Sequence, residues 1–347
     1  MQEQRAAKGR PLARVAAVLV RHGRRHRAPF VKGCLAALLV IAARLSMPWP
    51  IHALMHYWKL GEGARAKAVV HVIPGLDWPL TLGVAFLGLL AALGLGDAIL
   101  RVQFAKFASG TVRDIRDAAF QAAVSAADVG KTRPGDLMTR LVGDTARMKS
   151  GIRGFLVHVA PSGLLFLGVT VILVYLNLNL GIVFGTMGLG TLLATLVGAR
   201  AMYRKSKKYR KKAGKFADSV DQALRIGSME AGLAAANRSS GTPPATLTRI
   251  QSRTTWITYV LFGVSVFAAV WIGSREVAAG TLDPRDMVVF LVYALIIRGP
   301  TVRLARQGSR LGKIFATTLR VVQVLELPPA EAAPPDDRLA PGAPLVL

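Results

Sequence analysis

The chain has 347 residues, of which 52% are hydrophobic, and it carries a formal net charge of +26. Soluble globular proteins seldom combine so apolar a composition with so large a charge, so these numbers argue against a soluble enzyme and indicate a membrane protein with basic loops. The only cysteine, Cys34, lies in an apolar run, which excludes a disulfide framework and a cysteine-based metal cluster.

The N-terminal segment, residues 1–27, is rich in arginine and poor in acidic residues. Within it, PLARVAAVLVRHGRRHR predicts a basic amphipathic helix that lies in the membrane interface before the first span. A cleaved signal or transit peptide is the alternative. However, no small-residue cleavage site follows, and Arg44 interrupts the next apolar run.

Six apolar stretches are each long enough to cross about 30 Å of hydrocarbon as a helix. They cover roughly residues 29–58, 79–100, 154–176, 180–202, 255–273 and 286–307. Lysine and arginine number 31 in the N-terminal segment and the two long loops, but only 5 in the three short loops, which predicts that both termini and the long loops are cytoplasmic. We therefore expect a multi-pass protein of the cell (inner) membrane, and nucleic-acid binding is not needed to explain the charge.

The two long loops, residues 101–153 and 200–253, consist mostly of helix-forming residues. We expect the second to fifth spans to continue as helices into the cytoplasm and to turn near the loop tips. At about 1.5 Å per residue, such extensions reach tens of ångströms from the membrane. Turns held at that distance indicate contact with a cytoplasmic partner.

Gly130, Lys131 and Thr132 match the last three residues of a phosphate-binding P-loop. A P-loop requires Gly-x-x-x-x-Gly-Lys-Ser/Thr after a buried strand. Here Ser125 stands at the first glycine position, and residues 114–126 have helical character. The triplet is therefore not interpreted as a nucleotide site.

The sequence PGDLMTRLVGDT instead resembles the first-loop signature of ATP-binding cassette (ABC) exporters, Gly-Asp/Glu-Leu-x-x-Arg-x-x-x-Asp. The matching residues are Gly135, Asp136, Leu137, Arg140 and Asp144. ADSVDQALRIGSMEA stands where that family has its second-loop segment, and Pro48 stands where its first helix usually has a proline. AGTLDPRDMVVFLVYALIIRGP resembles the start of the family's sixth helix. The matching residues are Gly280, Leu282, Asp286, Phe290, Tyr293 and Pro300. The resemblance covers roughly residues 11–326.

This resemblance implies an all-α membrane protein with the ABC exporter transmembrane-domain fold. It has six transmembrane helices with long cytoplasmic extensions, and it is expected to form a domain-swapped dimer with a second copy or a homologous subunit. Coupling helices at the loop tips are expected to contact ABC nucleotide-binding domains. The residues concerned are Asp128, Val129, Gly130 and Lys131 in the first loop and Arg225, Ile226 and Met229 in the second. Val129-Gly130 replaces an aromatic pair common in the family, and Glu230 stands where a lysine is usual.

The chain contains neither a P-loop nor a Leu-Ser-Gly-Gly-Gln sequence. We therefore expect no ATPase activity from the chain by itself, with ATP and Mg bound on a partner nucleotide-binding domain. Residues 327–347, rich in proline and alanine, predict a linker toward such a domain, which is either a separate chain or a continuation of this one. The expected organisation is a basic segment at 1–27, the transmembrane domain at 28–326 and the linker at 327–347.

Five arginines are candidates for a substrate pathway: Arg44, Arg298, Arg303, Arg306 and Arg310. Arg44 and Arg298 each follow eleven uncharged residues, which places them near the middle of the bilayer, where ionisable groups usually face a polar cavity. Arg303, Arg306 and Arg310 share one helical face and could continue a cationic track. The alternatives are internal pairing of Arg44 or Arg298 with Asp97, which also has Arg101 one turn away, and contact of Arg306 and Arg310 with lipid headgroups.

His52 and His56 share a helical face, but no acidic or cysteine partner is evident nearby, so no metal site is expected. No catalytic constellation can be assembled, which argues against a self-contained enzyme. The expected function is that of the transmembrane subunit of an ATP-driven exporter, which moves an anionic or amphipathic substrate out of the cytoplasm by alternating access. A membrane scaffold or gated pore that keeps the fold without active transport is the alternative.

Overall fold

The structure is a computed structural model that describes residues 11–59, 78–125, 138–226 and 243–326. These four ranges are helical apart from short turns and contain no strand, which confirms the predicted all-α class.

The helices are α1 (Pro11–Gly23), α2 (Arg27–Ser46), α3 (Pro48–Lys59), α4 (Trp78–Val124), α5 (Thr145–Gly154), α6 (Ala160–Leu176), α7 (Leu178–Ile226), α8 (Pro243–Ala278) and α9 (Pro284–Leu325). A 3-10 turn at Arg24–His26 joins α1 to α2, and π-helical segments at Thr139–Asp144 and Phe155–Val159 flank α5.

Among the described residues, six helical stretches are long and apolar enough to cross a bilayer, in agreement with the predicted number of spans. They are Ala13–Tyr57, Pro79–Val124, Arg140–Leu176, Leu178–Lys205, Ala245–Ala278 and Pro284–Gln307. With 47 and 49 residues, α4 and α7 continue well past their apolar runs as helices, as the sequence predicted. The cytoplasmic location of these continuations stays a prediction.

The first span is broken at the proline that the family resemblance singled out. Pro48 has no backbone N–H to donate to the carbonyl of Arg44, so α2 ends and α3 begins there. The N–H of Met47 donates to that carbonyl at 3.4 Å instead. Nearby, the fully buried Tyr293 of α9 donates its hydroxyl to the carbonyl of Leu45 at 2.6 Å. The break in the first span is thereby held against the sixth.

The turn between α6 and α7 is held by side-chain hydrogen bonds. Asn177 is extended, and its Oδ1 accepts a hydrogen bond from the N–H of Leu180 at 3.1 Å, which caps the start of α7. The amide of Asn177 also donates to the carboxylate of Glu276 near the end of α8, and Asn179 Nδ2 donates to Glu276 Oε1 at 2.6 Å. After α8 the chain turns at Gly280, whose φ of +75° favours glycine. One carboxylate thus joins the ends of three helices.

Gly181 is required at the start of α7 because α6 passes so close to it. A Cβ at position 181 would lie 2.6 Å from Cα and 2.7 Å from N of Val174, and backbone atoms cannot move aside without opening the hairpin. We expect Gly181→Ala to lower the free energy of unfolding by about 3 kcal/mol.

Thermal unfolding of the purified protein in detergent, followed by circular dichroism, checks this expectation. Gly263→Ala in α8 is the matched control, because a Cβ there meets nothing within 4 Å. An equal melting temperature for the two variants would show that the hairpin is not held as tightly as the structure indicates.

The chain divides into two compact units. The first comprises Met1–His26, Ser109–Lys149 and Thr317–Leu347, and its described core includes Ala119, Ala123 and Val324. The second comprises Arg27–Ala108 and Ser150–Ala316, with a larger core drawn from α2, α6, α7, α8 and α9. In that core the rings of Phe184 and Phe290 meet edge to face, with centroids 4.9 Å apart.

Candidate functional site

The second unit contains a polar cavity of about 180 Å³ between helices of the predicted spans. Its polar lining consists of Arg44, Asp97, Arg101, His158, Ser162 and Arg303. Its apolar lining consists of Val40, Ile41, Leu93, Gly94, Leu100, Val157, Pro161 and Leu165. We call this site the arginine cavity.

Helical periodicity brings these residues to one place. On α2, Ile41 and Arg44 are one turn apart and point to the same side. On the third span, His158 and Ser162 are four residues apart, and His158 lies in the π-helical segment that precedes α6. Such π-helical turns often mark functional sites because they re-aim side chains. The cavity is thus built from the faces of several long helices and not from loops.

The arginine cavity carries more positive than negative charge. Arg101 Nε donates a hydrogen bond to Asp97 Oδ2 at 2.6 Å, and these two charges offset each other. Within the part of the chain that the structure describes, Arg44 and Arg303 have no ion pair closer than 4 Å. Arg101, Arg303 and Asp97 line the same cavity as Arg44. Two arginines therefore remain without an anion in direct contact.

The predicted arginines divide into two groups. Arg44, which is half-buried, and Arg303, which is exposed, line the arginine cavity together. Arg298 and Arg306 are exposed on α9 and are not among the lining residues, and the side chain of Arg310 lies outside the described part. A pathway role for these last three arginines stays a prediction. Asp97 pairs with Arg101, as the sequence suggested. Among the described residues, Asp97 and Arg44 do not form an ion pair.

Sequence reasoning missed His158 and Ser162 and assigned Asp97 no place in the cavity lining. One signal was available: a histidine and a serine four residues apart in an apolar run share a helical face. This spacing alone does not show that polar residues of α2 and α4 line the same cavity as His158 and Ser162.

The first-loop motif belongs to the first unit. Asp144 is fully buried, and its two oxygens lie 3.1 Å from Arg147 Nη1 and 3.3 Å from Arg320 Nη1. Next to it, Arg116 donates to Thr145 Oγ1 at 2.9 and 3.1 Å. Asp144 therefore joins the motif to the end of α9. Arg140 is half-buried, and Gly135 and Asp136 lie outside the described residues.

The predicted coupling residues cannot be placed in the same way. Asp128, Val129, Gly130, Lys131 and Met229 lie outside the described residues. Arg225 and Ile226 end α7, with side chains that are not described. Contact of these residues with a nucleotide-binding domain stays a prediction.

No group of three or more histidine, cysteine or acidic side chains is close enough to hold a metal ion in the described ranges. His52, one of the two histidines considered for this role, lies with Nε2 3.6 Å from Asp286 Oδ1. Its ring also meets that of Trp49 edge to face, with centroids 5.8 Å apart.

In the described ranges, six helices long and apolar enough to cross a bilayer, with a polar cavity among them, define a multi-pass membrane protein. Residues 63–225 match the family model of the ABC transporter transmembrane region. This match includes the first-loop motif and most of the second-loop segment, and it supports the predicted resemblance to the membrane subunits of ABC transporters. Such a subunit pairs with an ABC nucleotide-binding domain or a second subunit. A comparison with curated proteins finds no match to the sequence.

Proposed function

We propose that the chain is the transmembrane subunit of an ATP-driven ABC exporter that moves an anionic or amphipathic substrate out of the cytoplasm by alternating access. The observation that supports this function most directly is the pair of arginines, Arg44 and Arg303, that face one cavity without an anion in contact. The first-loop and sixth-helix motifs support export as the direction of transport.

The energetics of charge inside a membrane explain why the half-buried Arg44, with Arg303 on the same cavity, favours an anion. A cation among apolar helices loses hydration. Placing a charged side chain at the middle of a membrane helix costs at least about 2.5 kcal/mol of free energy. Two cations near each other add their mutual repulsion. A carboxylate or phosphate that enters the arginine cavity restores charge balance and accepts hydrogen bonds from the guanidinium groups, which suit such groups geometrically. The free cavity is therefore preorganised for an anion.

The energy for transport comes from a partner in this proposal. An ABC nucleotide-binding domain binds ATP and Mg, and its closure moves the loop tips of two transmembrane subunits, so that the cavity opens to one side of the membrane and then to the other. The subunits are two copies of this chain or this chain and a homologous one. The site of action is the cell (inner) membrane, with both termini cytoplasmic.

Co-purification with reconstitution tests the proposal. The chain, expressed from its native locus with an affinity tag, is expected to bring down an ABC nucleotide-binding domain, either as a separate polypeptide or as part of a longer chain. Reconstituted in liposomes, this complex is expected to hydrolyse ATP in a vanadate-sensitive manner, with faster turnover in the presence of dodecyl phosphate than of dodecyl trimethylammonium. A purified complex without vanadate-sensitive turnover would instead support a scaffold or gated pore.

A further inference from the structure

Two contacts join the first and sixth spans within the second compact unit. The hydroxyl of the fully buried Tyr293 donates to the carbonyl of Leu45 at 2.6 Å, and we call this the tyrosine contact. Nε2 of His52 lies 3.6 Å from Oδ1 of Asp286, and we call this the histidine contact.

The two contacts follow one another along a single antiparallel line. His52 comes seven residues after Leu45 on the first span, whereas Asp286 comes seven residues before Tyr293 on α9. On α9, seven residues make two helical turns, or about 10 Å, so Asp286 and Tyr293 lie on one face of the helix. The first and sixth spans therefore touch at two levels on the same side.

The arginine cavity lies on the far side of the tyrosine contact from the histidine contact. On the first span Arg44 precedes Leu45, and on α9 Arg303 follows Tyr293 by ten residues; both arginines line the cavity. Along both spans the order is cavity, tyrosine contact, histidine contact. If the cavity opens between these spans toward α3, both contacts have to separate. The loops that follow α3 and precede α9 are among those that the charge distribution predicts to be outside.

The two contacts differ in their response to pH. A tyrosine hydroxyl stays neutral below about pH 10, so the tyrosine contact is the same in acidic and in neutral solution. A histidine changes its charge between about pH 5 and 8. At 3.6 Å the histidine contact is too long for a hydrogen bond, so it is attractive only when the imidazole is protonated and the carboxylate is ionised. This attraction is present in mildly acidic solution and is lost as the pH rises and the imidazole loses its proton.

The surroundings of the histidine contact allow it to respond to the solution. The side chains of His52 and Asp286 are 25% and 29% exposed, so both can exchange protons with water. The other charged side chains and histidines described near this end of α3, α8 and α9 are Arg275, Glu276, Asp283, Arg285 and His56. Arg285 Nε donates to Asp283 Oδ1 at 3.0 Å, so the arginine next to Asp286 in the chain is bound to another carboxylate. Arg275 and Glu276 likewise contact other side chains, and His56 is exposed one turn further along α3.

From this arrangement we propose that the histidine contact makes the outward opening of the arginine cavity depend on the pH of the outer solution. The role in transport rests on the proposed function. A mildly acidic outer solution holds the first and sixth spans together at His52 and Asp286. A neutral or alkaline one removes this attraction and makes the separation of the spans easier.

A cysteine placed between the two contacts measures the separation of the spans directly. Val289 is 2% exposed and lies about one turn from both Asp286 and Tyr293 on the same face of α9. The protein carries Val289→Cys with Cys34→Ser and is studied in nanodiscs without ATP, and the probe is a charged maleimide that does not cross lipid. Rates are compared between variants at the same pH, because the reactivity of a thiol itself rises with pH.

At pH 6 we expect His52→Gln and Asp286→Asn each to increase the labelling rate about threefold, because the ion pair is lost. At pH 8 we expect both variants to react as fast as the parent, because the imidazole of the parent is then neutral. His56→Gln is the matched control on the same helix and is expected to change neither rate. Tyr293→Phe removes the neutral contact and is expected to increase the rate at both pH values.

Equal labelling of His52→Gln and the parent at pH 6 would overturn the proposal, and so would an increase of the same size at pH 6 and pH 8. The first result would mean that the histidine contact does not hold the spans, and the second that it acts without charge.

ATP hydrolysis by the reconstituted complex tests the role in transport. The liposomes have the nucleotide-binding domains facing the bath, so that the lumen contacts the predicted outer end and its pH can be set by itself. We expect about threefold slower vanadate-sensitive hydrolysis with the lumen at pH 6 than at pH 8, and no such difference in His52→Gln. Equal rates in the parent at both pH values would overturn the regulation of transport. A complex without any hydrolysis would contradict the proposed function, and the labelling without ATP would still decide whether the histidine contact holds the spans.

Discussion

Replacing Asp144 by alanine is expected to lower the free energy of unfolding of the protein by about 3 kcal/mol. Asp144 is fully buried, and it is the acidic partner of Arg147 and Arg320 at 3.1 and 3.3 Å. Arg147 is 59% exposed and can turn to solvent, whereas Arg320 is only 29% exposed and loses its contact with a fully buried carboxylate. The loss therefore comes mainly from the contact between Asp144 and Arg320, because breaking a buried ion pair by removing one partner is strongly destabilising.

Thermal unfolding of the purified variants measures this effect. Asp117→Ala on α4 is the matched control, since Asp117 is exposed, and it is expected to melt like the parent protein. The double variant Asp144→Ala with Arg320→Ala is expected to be less destabilised than the sum of the two single variants, because both remove the same ion pair. Additive losses would show that Asp144 acts on something other than Arg320.

Replacing Arg44 by glutamine is expected to change ligand response and stability in opposite directions. The stimulation of ATPase activity by dodecyl phosphate in the reconstituted complex should need about tenfold more ligand, because a charged hydrogen-bond donor is gone. The free protein should become more stable, because the repulsion between Arg44 and Arg303 is removed and the described residues provide no ion pair that would be broken.

The opposite signs separate a ligand-binding role for Arg44 from a structural one. If Arg44 held the helices together through Asp97, the variant would melt at a lower temperature. Lys32→Gln is the matched control, because Lys32 is on the same helix and exposed. It is expected to change neither the melting temperature nor the ligand response. A lower melting temperature for Arg44→Gln would contradict the proposed role.

The spans could be predicted from sequence because each depends on a local property. An apolar run of sufficient length determines a membrane helix, and Pro48 determines where the first span breaks, because it lacks a backbone donor. The family resemblance was likewise visible in the spacing of Arg140 and Asp144. These features need no knowledge of how distant helices pack.

The arginine cavity could be predicted only in part, because it depends on the rotation of each helix about its own axis. The position of Arg44 in an apolar run marked it as a residue that faces something polar, and Arg303 was a candidate through the helical face that it shares with Arg306 and Arg310. The apolar-run reasoning gave equal weight to Arg298, which does not line the cavity. The contribution of His158 follows from a π-helical turn, which adds a residue to the helix and shifts the face that follows, and no local sequence rule signals it.

The bonds of Glu276 have a mechanical meaning for any transport cycle. A single side chain near the end of α8 accepts hydrogen bonds from Asn177 and Asn179 at the junction of α6 and α7. Helices that are joined at one end keep that end fixed when they rotate relative to one another, so displacement grows with distance from the joined end. We therefore expect any relative movement of these helices to be smallest at this junction and largest at their opposite ends.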